Sequence, residues 1–365
     1  MGKTQMRLLI AASGTGGHLF PAIATAEQLS DYQIEWLGVP NRLETRLVPS
    51  QYRLHTIDVE GIQQRLGLST VKILTKLALA IFQARQLLKQ GQFQGVLTTG
   101  GYIAAPAVIA ARSLGLPVIL HESNAIPGKV TRFLSRWCSV VAIGFEPAAK
   151  YLPGVKTIFT GTPVRSQFQI EALDTLPPLD LAIPENVPLI LIVGGSQGAV
   201  AVNKLVRQSA AAWFEAGAWV VHQTGSNDPD VESLKHPQYI GLPFYDNMAR
   251  LLHRASLVIA RAGAGTVTEL AIARKPAVFI PLPTAAEDHQ YYNAQVLVAA
   301  GAALVFRQQE LTPEILTKEV LSLLHSPEKL AQMGKKAGAI AVADSAERLA
   351  QLVRKMVRNR RKLCK

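Results

Sequence analysis

RLLIAASGTGGHLFP at residues 7–21 and PLILIVGGSQGAV at residues 188–200 share one plan: an apolar run of strand length, a glycine-rich turn, then a segment able to start a helix. Glycine turns the backbone sharply and lets N–H groups approach an anion, and a helix N-terminus adds partial positive charge. Each stretch therefore reads as a strand–turn–helix unit suited to phosphate. The two copies stand about half a chain apart, and the plan recurs later in each half. The expected fold is α/β: two Rossmann-like, doubly wound parallel-sheet domains facing a cleft.

Outward from these turns, strand-like runs at residues 7–12, 34–39, 95–99, 118–121 and 139–143 alternate with helical stretches in the first half. Runs at 189–193, 219–223, 238–241, 257–260 and 277–280 repeat the alternation in the second half. Between them, Pro163, Pro177, Pro178, Pro184 and Pro188 interrupt residues 161–188, which lack sustained periodicity and read as the interdomain connection. The expected division is a first domain over residues 1–163, a second over 164–340, and a C-terminal helix with a basic tail over 341–365, packing back toward the first domain. Ligands of open α/β sheets bind beyond the carboxyl ends of the strands, so the loops at 14–17, 100–102, 194–198 and 263–266 carry the interest.

A chain of 365 residues with 48% hydrophobic and 18% charged content suits two globular domains. Cys138 and Cys364 are too far apart to suggest a disulfide framework or a metal-binding pair, which fits a reducing cytosol. The apolar run before the first turn covers only residues 8–12, against a cleaved signal peptide, and Met6 stands where a myristoylation signal needs Ser or Thr. Residues 102–120 are interrupted by Pro106, Arg112 and Pro117 and fall short of the ~20 clean apolar residues of a spanning helix. The net charge of +12 is concentrated at the end, with seven cations and no acid in the last twelve residues. That tail reads either as a solvated helix end or as attraction to an anionic membrane surface, at ~1 kcal/mol per basic residue. Nucleic acid is not expected, because no aromatic residue interleaves those cations.

The turns exclude two nucleotide classes. Leu19 stands where a dinucleotide fold needs its third glycine, and Gly38-Val39-Pro40 ends the next strand without the ribose-binding acid. No Gly-Lys-Ser/Thr ending marks an ATPase loop. Asp228-Pro229-Asp230 superficially matches the acidic pair of metal-dependent sugar transferases, but its Asn, Pro and Ser neighbours read as a surface turn. No cofactor and no metal are expected.

Positive candidates remain. ARAGAGTVTELA at residues 260–271 places Glu269 one turn into a helix starting near Thr266, where a carboxylate can bind a vicinal diol while first-turn N–H groups face a phosphate. A glutamate that merely caps its own helix accounts equally for that spacing. AAEDHQYYNA at 285–294 adds His289 and Gln290 beside another helix start. His18 directly follows the first glycine turn, and an imidazole suits a general base near neutral pH; a loop-positioning role for it stands beside that one. STVKILTKLALAIFQARQLLKQ at 69–90 has helical periodicity with Leu74, Leu77, Ile81, Ala84 and Leu88 on the core side. Leu79 projects beyond that arc between Lys72 and Lys76, and Leu79 and Phe82 are expected at a lipid interface.

SGTGGHLFP, TGGYIAAP, HESN, GTPVR, GGSQGA, RAGAGTVTE and EDHQYYNA, in this order across nearly the whole chain, closely resemble the MurG family of N-acetylglucosaminyltransferases. The resemblance implies GT-B architecture, with the donor held mainly by the second domain and the acceptor by the first. It implies inverting, metal-independent transfer of N-acetylglucosamine from UDP-N-acetylglucosamine to the 4-hydroxyl of undecaprenyl-diphosphate-linked muramyl-pentapeptide, by a protein peripheral on the anionic cytoplasmic face of the plasma membrane. By matched motif, Thr15, Gly16, Gly17, Asn124, Arg165, Ser196, Tyr245, Ala264, Gly265, Thr266, Val267, Thr268, Glu269 and Gln290 fall to the donor. Gly14, Gly100, Gly101, Tyr102 and His121 fall to the acceptor, and His18, Glu122 and Tyr102 make up the catalytic set, with Arg165 and Arg261 as cations for the departing UDP. The family often has Asn where Thr162 stands, and some members have Gln in place of His289. A diacylglycerol sugar transferase of the same architecture, a non-catalytic nucleotide-sugar or lipid scaffold, and a nucleotide-sugar epimerase are the competing readings.

Overall fold

A computed structural model describes residues 5–60, 68–194 and 199–363. The chain forms two compact units, Met1–Arg165 with Asp344–Lys365, and Ser166–Ala343.

The first unit runs β1 (Met6–Ala12), α1 (Gly16–Glu27), β2 (Tyr32–Gly38), α2 (Glu44–Leu47), β3 (Arg53–Thr56), α3 (Leu68–Gln90), β4 (Gly95–Gly100), α4 (Ala104–Ser113), β5 (Val118–Glu122), α5 (Lys129–Leu134), β6 (Val140–Ile143) and β7 (Thr157–Phe159). All its strands pair in parallel, in the order β3-β2-β1-β4-β5-β6-β7. Strands covered on both faces read as largely apolar runs, and β1 (MRLLIAA), fully buried from Leu8 to Ala12, shows why. Leu9 packs with Ala80, Ala84 and Leu88 of α3 and Ala107 of α4 on one face, while Leu8 and Ile10 pack with Leu19 and Ile23 of α1 on the other.

The second unit runs β8 (Leu189–Val193), α6 (Val200–Glu215), β9 (Trp219–Gln223), β10 (Tyr239–Leu242), α7 (Met248–Arg254), β11 (Leu257–Ala260), α8 (Ala264–Ile272), β12 (Ala277–Phe279), α9 (His289–Ala299), β13 (Ala303–Val305), α10 (Pro313–Leu324) and α11 (Pro327–Ala339). Its sheet is also parallel, in the order β10-β9-β8-β11-β12-β13. Val202, Val206 and Trp213 of α6 pack with Leu316 and Val320 of α10 on Ile190, Ile192 and Ile259. The last helix, α12 (Ser345–Leu363), belongs to the first unit: Leu349, Val353 and Val357 join the α1 side of its core, and Arg354 pairs with Asp31 at 2.9 Å.

Both sheets reverse their winding at one place, between β1 and β4 in the first unit and between β8 and β11 in the second. This reversal opens the crevice that open α/β sheets use for ligands. The glycine loops at 14–17 and 100–102 flank one switch point; Gly194 and the loop at 261–266 flank the other. The expected strand runs match the inner strands and the edge strand β10, but β3, β7 and β13 were not anticipated. All three are sheet edges of four residues or fewer, and β3 (RLHT) is largely polar.

Two local expectations change. Leu74 is 51% exposed, because Ala80, Ala84 and Leu88 define the buried line of α3. Helix α8 starts at Ala264, two residues before the expected Thr266.

Candidate active site

At the first switch point, Gly14 takes φ +99° and Thr15 occupies the N-cap of α1. The first turn, Gly16-Gly17-His18, holds no acid, and no side chain caps it. Its amides are thus not neutralised by the protein's own carboxylates, the condition for receiving an anion. Gly100 and Gly101 (φ +113° and +84°) bring the end of β4 against this turn. A Cβ at Gly101 would lie 2.2 Å from the Ser13 carbonyl oxygen, and one at Gly100 would lie 3.0 Å from the His18 ring. His18 is fixed twice more: its Nδ1–H donates to Ser13 O at 3.1 Å, and Thr99 Oγ1 donates to the His18 carbonyl at 2.7 Å. With Nδ1 holding the proton, Nε2 carries the lone pair.

Glu44 is a functional residue that the sequence did not reveal. Buried on α2, it accepts from Gly14 N at 3.1 Å and from Val39 N at 2.7 Å, tying the glycine turn to the end of β2. Its setting, NRLETR, reads as a polar loop, so no local signal marked it. Arg42 lies 4.9 Å over the Tyr102 ring, which packs at the margin of the core.

The end of β5 corrects one acceptor assignment. His121 is 1% exposed, and its Nε2–H donates to Gly161 O at 3.0 Å while Ser123 Oγ donates to Nδ1. Burial holds its pKa below the ordinary histidine value. It braces residue 161 and does not line an open site. Glu122 accepts from both Asn124 N and Asn124 Nδ2 at 2.9 Å and from Gly128 N at 3.3 Å, so it shapes the loop ahead of α5. Arg165 stacks 4.1 Å over Phe20 of α1.

In the second unit, Gly263 caps α8, and the first turn Ala264-Gly265-Thr266 again contains no acid. Glu269 stands in the second turn. Asn293 Nδ2 of α9 donates to Ala262 O at 3.2 Å, and Gln290 Oε1 accepts from Leu282 N at 3.0 Å. Arg261, expected to face the leaving group, instead donates to Ile280 O, Pro281 O and Gln308 Oε1, and burial pushes its pKa down to about 10. It laces the loops after β11, β12 and β13 together. Tyr245 donates to Asp180 Oδ1 at 2.6 Å; burial, then the adjacent carboxylate, pushes its pKa up to about 12. Ser196 and Gln197 lie outside the described residues.

Asp228 is not the surface turn that its neighbours suggested. It is 8% exposed and receives two hydrogen bonds from Arg207, at 2.8 and 3.1 Å, and one from Asn203 Nδ2 at 2.8 Å. Asn203 Oδ1 accepts from His222 Nε2–H, and His222 Nδ1 accepts from the Tyr239 hydroxyl. The network fastens the start of α6 to the end of β9, and its carboxylate is committed to Arg207.

Two parallel α/β units, each with a glycine-rich, acid-free helix start at its switch point, define the GT-B class of glycosyltransferases. The glycosyltransferase family 28 N-terminal domain matches residues 8–143 and the family 28 C-terminal domain matches residues 189–351. A protein of Nostoc punctiforme is 68% identical over 98% of this chain and 99% of its own length; it is named UDP-N-acetylglucosamine--N-acetylmuramyl-(pentapeptide) pyrophosphoryl-undecaprenol N-acetylglucosamine transferase. A crystal structure of MurG from Acinetobacter baumannii superposes with a TM-score of 0.77 at 34% identity, covering 96% of this chain and 99% of that one. A putative UDP-N-acetylglucosamine 2-epimerase from Listeria monocytogenes, 15% identical with a TM-score of 0.70 over 98% of each chain, shares the fold alone. The chain belongs to glycosyltransferase family 28 and, within it, to the MurG transferases.

Proposed function

We propose that this chain transfers N-acetylglucosamine from UDP-N-acetylglucosamine to the 4-hydroxyl of lipid-linked N-acetylmuramyl-pentapeptide, the step that turns lipid I into lipid II in peptidoglycan synthesis. The observation that carries this reading is the acid-free helix start beside glycine turns at each sheet's switch point, in a chain 68% identical to a transferase of that name.

In this reading the amides of Ala264, Gly265 and Thr266, with Val267 and Thr268 behind them, hold the donor diphosphate. Glu269 binds the ribose diol, Gln290 the sugar hydroxyls and Tyr245 the base; Ser196, outside the described residues, is assigned to the donor by its motif. Thr15, Gly16, Gly17, Asn124 and Arg165 complete the donor contacts, and Gly100, Gly101 and Tyr102 cradle the acceptor diphosphate, while Gly14, its N–H held by Glu44, only turns the chain there. His18 Nε2 takes the proton from the acceptor hydroxyl as it attacks the anomeric carbon. One displacement then breaks the bond to UDP and inverts that centre. Charge growing on UDP is met by fixed amides and helix dipoles, whose orientation costs nothing at the moment of reaction. Glu122 acts through the loop at 124–128 that it organises and is a positioning residue.

Among the described residues no helix is long and apolar enough to cross a membrane. We place the protein peripherally, on an anionic inner-membrane surface, through the exposed Leu79 and Phe82 of α3, both 57% accessible, supported by Val130 and Phe133 of α5 near Lys129 and Arg132. Lys76, expected to flank Leu79, is paired with Asp58 and Glu60.

The test is UDP release on mixing the protein with UDP-N-acetylglucosamine and a short-chain muramyl-pentapeptide diphosphate lipid, with chelator present. Release that requires this acceptor supports the reading. Release with diacylglycerol only, donor epimerisation without acceptor, or binding without turnover would each replace it with one of the competing activities.

A further inference from the structure

The loop after β12 is built against local preference. Glu287 (φ +53°) and Asp288 (φ +55°) are consecutive left-handed residues without a glycine between them, a state that L-residues visit singly and at steric cost. Asp288 stands at the N-cap of α9, where a carboxylate ordinarily accepts from the helix's first-turn amides, yet it makes no such bond. Its carboxylate accepts instead from Arg307 Nη2 at 2.7 Å. Arg307 follows β13, the sheet neighbour of β12, and its guanidinium also lies 4.1 Å from the centroid of the Tyr291 ring. One side chain thus grips Asp288 and Tyr291, the residues on either side of His289 and Gln290.

We infer that Arg307 and Asp288 are a positioning pair that fixes Gln290 toward the donor sugar and thereby sets discrimination between hydroxyl configurations. This rests on the proposed function, in which Gln290 reads the sugar hydroxyls. An amide held in one place rejects a misplaced hydroxyl because its own hydrogen bond is then lost; an amide that can shift follows the epimer. The exposed ion pair is worth little by itself. Its consequence is that it holds a turn with an intrinsic tendency to relax.

The experiment measures kcat and KM for UDP-N-acetylglucosamine and for its 4-epimer, UDP-N-acetylgalactosamine, in Arg307→Ala, Asp288→Ala, Gln290→Ala and the charge exchange Asp288→Arg with Arg307→Asp. The pair predicts that each single alanine change at 307 or 288 raises the donor KM about fivefold with kcat within about twofold. Preference over the epimer should fall by a similar factor, and the exchange should recover most of the loss. A merely structural role would lower the unfolding temperature and kcat together and leave the epimer ratio alone. Wild-type KM and epimer ratio in both single variants, beside a raised KM in Gln290→Ala, would overturn the pair while leaving the donor site standing. An unchanged KM in Gln290→Ala would overturn the donor-site reading itself, and the pair with it.

Discussion

His18 reaches its setting through two glycines that no other residue can replace. A side chain at 101 meets Ser13 O at 2.2 Å from a backbone already at φ +84°, so Gly101→Ala should lower stability by about 2 kcal/mol or more, read as a denaturant midpoint. His18→Gln keeps a donor near Ser13 O but offers no base; kcat should fall about 10²- to 10⁴-fold with donor KM little changed. Near-normal turnover would leave His18 only a loop-positioning role. His222 sets a pH dependence. Burial, then Arg207, holds its folded pKa at about 3, against about 6.5 unfolded. Between these values the unfolded chain binds a proton that the folded chain refuses, so stability is complete above about pH 6.5 and declines as pH falls toward 3. The buried His121, also shifted down, adds in the same direction. Urea unfolding at pH 7.5 and 5.0 should differ by roughly 2 kcal/mol, and His222→Gln should flatten the difference; equal stability at both values would contradict the buried neutral imidazole. At this scale the sequence was legible where a residue's neighbours in the chain are its neighbours in space, as for His18 and the glycine turns. It was not legible for Glu44, which braces Gly14 across 30 residues, or for Asp228, whose burial depends on Arg207 and Asn203 more than twenty residues upstream.

Among the elements, α3 shows how periodicity identifies a helix better than its orientation. The pattern gave the helix almost to the residue, Leu68–Gln90 against the expected 69–90. Ala84 and Leu88 are buried as expected, but the small Ala80 joins them to allow close approach to the sheet, and Leu74, expected in the core, lies outside with Leu79 and Phe82. Exposed apolar residues on one helix are the form an interfacial contact takes. Leu79→Glu combined with Phe82→Glu should strongly reduce sedimentation with anionic vesicles, and unchanged vesicle binding would remove α3 from the membrane face. The unanticipated strands β3, β7 and β13 have the opposite cause. An edge strand has one neighbour and little burial to enforce an apolar pattern, so its sequence resembles a loop.

For the whole molecule, the glycine turns were readable because a doubly wound sheet repeats one construction at its switch point, and both halves repeat it. The proposed function assigns a base to the helix start after β1 and a diphosphate site to the helix start after β11. The proposed reaction is a single in-line displacement at the anomeric carbon that needs no metal. It is tested most directly by the proton NMR spectrum of the product formed from α-linked UDP-N-acetylglucosamine and the muramyl lipid acceptor, with chelator present. A β-linked disaccharide is expected, with the large coupling of an axial anomeric proton. An α-linked product, or disaccharide only when a divalent cation is restored, would contradict a single metal-independent displacement.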